Sequence, residues 1–117
     1  MGEVLFKILP EAEWRAAERA GRFAGSGIDL KDGYIHFSTA AQLRETASLH
    51  FKGVAGLTLV AVDAATLGPA LRYEPARGGT LFPHLYGTLD PMRVLWAKQL
   101  PLGPDGSHVF PPLRADG

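Results

Sequence analysis

The sequence predicts an α+β domain in which a mostly antiparallel sheet carries two helices. Three observations lead there. Several segments alternate apolar and polar residues with the period of a strand, and two others space their apolar residues as a helix does. Between them runs Leu57–Asp63, so continuously apolar and β-branched that it reads as a central strand covered on both faces.

The elements follow in order. Val4–Leu9 is short, apolar and closed by Pro10, which suits a first strand. From Glu11 the chain is rich in Ala, Glu and Arg, with Trp14, Ala17 and Ala20 on one side and Gly21 as a stop, giving a helix of about three turns. The stretch from Gly25 to Gly33, with three glycines and two aspartates, reads as a loop. Tyr34–Ser38 alternates, placing Ile35 and Phe37 on one face and Tyr34, His36 and Ser38 on the other. Thr39 with Gln42 forms a capping-box pattern that opens a second helix, striped by Leu43, Ala47 and Phe51. Ala70–Glu74 alternates again, with Arg72 and Glu74 sharing a face, and Pro75 stops it. The segment from Ala76 to Gly87 combines Gly78-Gly79 with Phe82, Pro83, His84 and Tyr86 and reads as an ordered loop whose aromatic residues are buried. Met92–Leu100 returns to strand character after the Asp90-Pro91 turn. One globular domain is expected over 1–103, and the Pro-rich segment 104–117 is expected to be a partly disordered tail.

Composition narrows the function. In 117 residues, twelve Lys+Arg balance twelve Asp+Glu, so nothing marks the surface for non-specific binding to nucleic acid or anionic membrane. There is no Cys, hence no disulfide or thiolate metal site. The N-terminus turns polar too early for a signal peptide and no apolar run reaches the length of a membrane span, so a cytoplasmic protein is expected. His36, His50, His84 and His108 show no tight ligand spacing, and no metal site is expected. The sequence carries no signal for an oligomeric state.

Chemistry-bearing residues gather in two stretches, His36–Thr39 and Arg72–Tyr86. His36 projects beside Ser38, Thr39 opens a helix whose first amides favour anions, and Arg72 and Arg77 can each grip a phosphate or carboxylate with two parallel hydrogen bonds. Together these residues could hold a phosphorylated ligand. Two plainer readings stand beside that one: His36 satisfied by Ser38 or a carbonyl, and Arg72 paired with Glu74 in a solvated ladder. Gly78-Gly79 serves either a turn or close backbone approach to a ligand, with His84 and Tyr86 lining the same site.

The set Leu5-Phe6-Lys7-Ile8, Glu13-Trp14, Asp32 to Thr39, His50-Phe51, Leu71 to Pro75 and Arg77 to Gly87 closely resembles the bacterial family known as domain of unknown function 952, over about residues 4–102. More distantly, the order of elements around Ile35-His36-Phe37-Ser38 is similar to the catalytic lobe of RNA 2′-phosphotransferases, in the ADP-ribosyltransferase superfamily. That resemblance implies a bent or split sheet gripping NAD between strands. It also implies an NAD- or ADP-ribose-linked transferase or hydrolase. On it, His36 would orient a sugar and Glu74 would polarise a ribose hydroxyl or stabilise an oxocarbenium-like centre. Ser38, Thr39, Arg72, Arg77, Gly78, Gly79, His84 and Tyr86 would contact the ligand. The sequence departs from the phosphotransferases where their first-strand His-Gly-Thr falls on Lys7-Ile8-Leu9. The alternative expectation is a non-catalytic ligand-binding or protein-interaction module that retains the fold. A small nucleotide is the expected partner, with RNA left open and no membrane.

Overall fold

The computed structural model describes all residues, 1–117. It is α+β, with two antiparallel sheets and three helices. The order is β1 (Val4–Pro10), α1 (Glu11–Ala20), α2 (Ile28–Asp32), β2 (Ile35–His36), β3 (Ser38–Thr39), α3 (Ala40–His50), β4 (Leu57–Asp63), β5 (Leu71–Pro75), β6 (Leu81–Leu85) and β7 (Trp96–Leu100). Four strands form one sheet, in the order β3-β1-β4-β7, and three form the other, β2-β6-β5.

Strand parity explains the layers. On β1, Leu5 and Leu9 face one core with Trp14 and Ala17 of α1, Val60 and Val62 of β4, and Ile35, Phe37 and Leu85 from the region of the smaller sheet. Phe6 and Ile8 face a second core with Leu43 and Ala47 of α3, Leu57, Leu59 and Ala61 of β4, and Leu100. The larger sheet is therefore covered on both faces, by α3 on one side and by α1 with the smaller sheet on the other. β4 is buried along six of its seven residues, as its continuous apolar run requires. Helix α1 ends where Gly21 takes a left-handed φ of 74°, and α3 opens with the Gln42 side chain accepting the Thr39 amide at 3.1 Å. The C-terminal segment lies along the second core, where Phe110 and Leu113 pack. No helix is long and apolar enough to cross a membrane.

Four expectations are corrected. There are three helices, because Ile28–Asp32 forms a short one inside the Gly25–Gly33 loop, closed by Gly33 at φ 85°. The segment read as an ordered loop contains β6, the middle strand of the smaller sheet; Pro83 obscured it, since proline cannot donate to a ladder. Its burial is as expected at Phe82 to Leu85, but Tyr86 is 41% exposed. Met92 to Leu100 is a strand only from Trp96, after a single turn at Pro91–Arg93. Finally, Tyr34–Ser38 is not one strand: β2 pairs with β6 in the smaller sheet and β3 with β1 in the larger, with Phe37 between them.

Candidate functional site

The division at Phe37 creates the site. β3 pairs with β1 only at Leu5 and Phe6, so from Lys7 onward β1 has no partner along that edge. The Phe37 amide turns instead to the Pro83 carbonyl, at 2.9 Å. A cavity of about 690 Å³ opens where the two sheets separate, with walls that include Phe6, Ile8, Phe37, Phe51 and Phe82. That volume suits a drug- or nucleotide-sized molecule.

A charged cluster forms one end. Lys7 Nζ contacts both Asp29 oxygens, at 2.9 and 2.7 Å, and these residues are 8% and 2% exposed. Asp29 Oδ1 also meets the His36 backbone amide at 3.1 Å and His36 Nδ1 at 2.6 Å, and Oδ2 accepts the Ser26 amide at 3.0 Å. The other His36 nitrogen faces Asp32 Oδ2 at 3.0 Å. Helix α2 thus supplies both carboxylates that hold His36. Burial pushes the Asp29 carboxyl up, but the His36 hydrogen bond, the Lys7 charge and the Ser26 amide outweigh it and hold the group below the ordinary aspartate range. Burial drives the Lys7 ammonium below its ordinary value despite Asp29. The Asp29 shift has a definite sign. The folded protein gives up this proton at lower pH than the unfolded chain does, so the stabilisation is complete above the ordinary aspartate value of about 3.9 and is lost as pH falls through the folded value. Urea unfolding of the wild type and Asp29→Asn should therefore differ most near neutrality and converge on acidification below about pH 4; a gap unchanged at pH 2 would contradict this assignment.

The smaller sheet contributes a polar face. Its register sets His36 opposite His84, and His84 opposite Arg72. The His36 and His84 rings lie 5.3 Å apart, and Tyr34 packs against both, at 4.6 and 4.2 Å, and against Tyr86 at 5.0 Å. Glu74 Oε1 is 2.8 Å from His84 Nδ1 and accepts the Tyr86 hydroxyl at 2.7 Å. The Tyr86 and His84 hydrogen bonds hold the Glu74 carboxyl below its ordinary range, and the bond to Glu74 pushes the Tyr86 phenol up. Arg72 lies over the Tyr86 ring, 5.0 Å from its centroid.

Arg77 marks a further part of the cavity. Its guanidinium stacks on Phe82, 4.6 Å from the ring centroid, donates to Thr46 Oγ1 at 3.3 Å and lies 3.4 Å from His50 Nε2. Its only carboxylate neighbour is the exposed Glu45, at 3.6 Å. Ser38 Oγ shares a hydrogen bond with Thr46 Oγ1, at 2.9 Å.

Of the residues singled out from sequence, His36, Ser38, Arg77 and His84 line the cavity. Arg72, Glu74 and Tyr86 lie beside it on the same face of the smaller sheet and connect to it through His84. Thr39 caps α3, while Gly78 and Gly79 shape the turn after β5 with φ of 66° and 82°; none of the three lines the cavity. Sequence reasoning missed Lys7, Glu13, Ser26, Asp29, Thr46 and His50 as lining residues. Gly33 as a helix stop was the available signal for α2 and hence for Asp29. No group of three or more His, Asp or Glu side chains is placed to hold a metal ion.

The fold and site together define a small α+β domain with a ligand-sized cavity at a sheet division. The chain belongs to the family described as Protein of unknown function (DUF952), which matches residues 8–97. It is also similar to protein CC0527 from Caulobacter crescentus. Against that protein's X-ray structure the identity is 47% over 91% of this chain and 93% of the other, with a TM-score of 0.86. Against its solution NMR structure the identity is 48% over 89% and 90%, with a TM-score of 0.81. No curated protein matches the chain.

Proposed function

We propose that the chain recognises a nucleotide, NAD- or ADP-ribose-linked, in this cavity and acts on it as a transferase or hydrolase. The observation that carries the reading is Arg77, a forked cation over the Phe82 ring beside Thr46 and His50, in a cavity whose walls also include Phe6, Ile8, Phe37 and Phe51. Such a cation takes phosphate oxygens in pairs, and apolar walls take a base or sugar face. The sequence resemblance to the ADP-ribosyltransferase superfamily supports the same reading, with Lys7 in place of the first-strand His. Neutral net charge confines any RNA contact to local recognition, and a cytoplasmic setting fits a chain without cysteine. A non-catalytic binding module is the second reading, favoured by the carboxylates in the cavity being engaged: Asp29 by Lys7 and His36, and Glu13 by the Ser26 hydroxyl at 2.7 Å.

Thermal melting with NAD, ADP-ribose and an RNA 2′-phosphate tests recognition. A ligand at a hundred times its Kd adds about 2.7 kcal/mol, which is several degrees for a domain of this size. Arg77→Ala should weaken binding at least about tenfold and flatten its salt dependence. No shift with any of the three, or an Arg77→Ala protein that binds like the wild type, would remove the proposal.

A further inference from the structure

We infer that His84 Nε2 is a general base in this cavity and that the bond it serves to break is the pyrophosphate of the nucleotide, not a glycosidic bond. The inference rests on the nucleotide reading above and adds to it the reacting bond. His84 is 4% exposed and lines the cavity, yet only its Nδ1 has a protein partner, Glu74. A bond from Nδ1–H to that carboxylate fixes the tautomer whose Nε2 carries a free lone pair. A ring at a cavity wall held in this way by one nitrogen, with the other unpartnered, is the arrangement a proton acceptor needs.

The carboxylates argue against glycosidic cleavage. An oxocarbenium-like centre calls for a free carboxylate beside the sugar. Glu74 does not line the cavity and is taken by His84 and Tyr86, while Asp29 and Glu13 are taken by Lys7, His36 and Ser26. Positive charge is better placed. Arg77 stacks on Phe82, and His84 follows two residues later on the same face of β6, about 6.7 Å along the strand. Arg77 and His84 both line the cavity, so a pyrophosphate with one phosphate on Arg77 would present the other toward His84.

The step balances without another reactant than water. The water oxygen forms a bond to one phosphorus as its proton passes to His84 Nε2. The bond from that phosphorus to the bridging oxygen breaks, and the electron pair leaves on the departing phosphate, an anion that needs no proton. His84 then returns its proton to solvent. Glu74 acts through His84 and is a positioning residue. The other groups around this ring are Tyr34 and His36, with Tyr86 and Arg72 next to Glu74, and Lys7 and Arg77 are the cavity's other basic side chains.

The test uses ADP-ribose and NAD with the full chain. ADP-ribose should yield AMP and ribose 5-phosphate, and NAD should yield AMP and nicotinamide mononucleotide without free nicotinamide. His84→Asn should lower turnover by about 10²- to 10⁴-fold while the ligand-induced melting shift persists. Because His84 is buried and that variant could misfold, Glu74→Gln, at a partly exposed side chain, provides a second reading. It should lower kcat more than it changes KM, and Glu74→Asp should recover part of the rate. Release of nicotinamide without AMP, binding without any product, or wild-type turnover in a folded His84→Asn or Glu74→Gln protein would each overturn the inference while leaving recognition intact. Absence of binding to both nucleotides would overturn the recognition reading, and this inference with it.

Discussion

Asp29→Asn should destabilise the protein by about 3 to 5 kcal/mol, the cost of leaving a buried cation without its partner. The carboxylate receives Lys7 Nζ, the Ser26 and His36 amides and His36 Nδ1 at one point of the structure. Asparagine has nearly the same shape but turns an NH₂ group toward one of these donors and removes the charge that offsets Lys7. Urea unfolding at neutral pH measures the loss. Adding Lys7→Met to Asp29→Asn should recover part of it, because the uncompensated ammonium is then gone. A loss below about 1 kcal/mol in the single variant would show that solvent reaches Lys7 and that the pair is not buried in solution.

Phe82→Ala should cost about 3 to 5 kcal/mol, and the lower end is expected because the ring borders a cavity on one side. Phe82 is 8% exposed, sits next to the fully buried Pro83 and supports the Arg77 guanidinium. On the proposed nucleotide reading the change should weaken binding as well as stability, which separates it from a substitution deeper in the core. Chemical denaturation combined with ligand-dependent melting reads both effects. A stability change under about 0.5 kcal/mol would place the ring at the surface.

Much of this architecture was legible in the sequence, because it depends on local periodicity. Leu57–Asp63 declared a strand with two covered faces, and Thr39 with Gln42 declared the start of α3. The alternation of Arg72 with Glu74 placed those two side chains on one face of β5, whereas that of His36 with Ser38 did not survive the division of their segment between two sheets. What stayed hidden depends on tertiary pairing. Pro83 disguised β6, since the loss of a backbone donor is harmless only where the neighbouring strands do not require it, and neighbours are not written locally. The division at Phe37 left no local trace, because an unbroken alternation continues through a segment that changes sheets. Asp29 looked like a turn residue until α2 brought it beneath His36 and across from Lys7. The cavity was thus half visible: the residues of β2 and β6 could be named, whereas those supplied by β1, α2 and α3 emerged only when the sheets were assembled.

The passage of the chain through Phe37 has a mechanical consequence. One short stretch of backbone stitches the two sheets together, gripping β6 through His36 and the Phe37–Pro83 hydrogen bond, then β1 through Ser38 and Thr39. The sheets cannot spread apart without pulling on this stitch, and a molecule seated in the cavity would bear on both sides of it. On the proposed reading, ligand affinity and resistance to local opening would then be coupled at this point of the fold. Slowed hydrogen exchange at the Phe37 amide would report occupancy of the cavity, although the proton itself bonds only to Pro83.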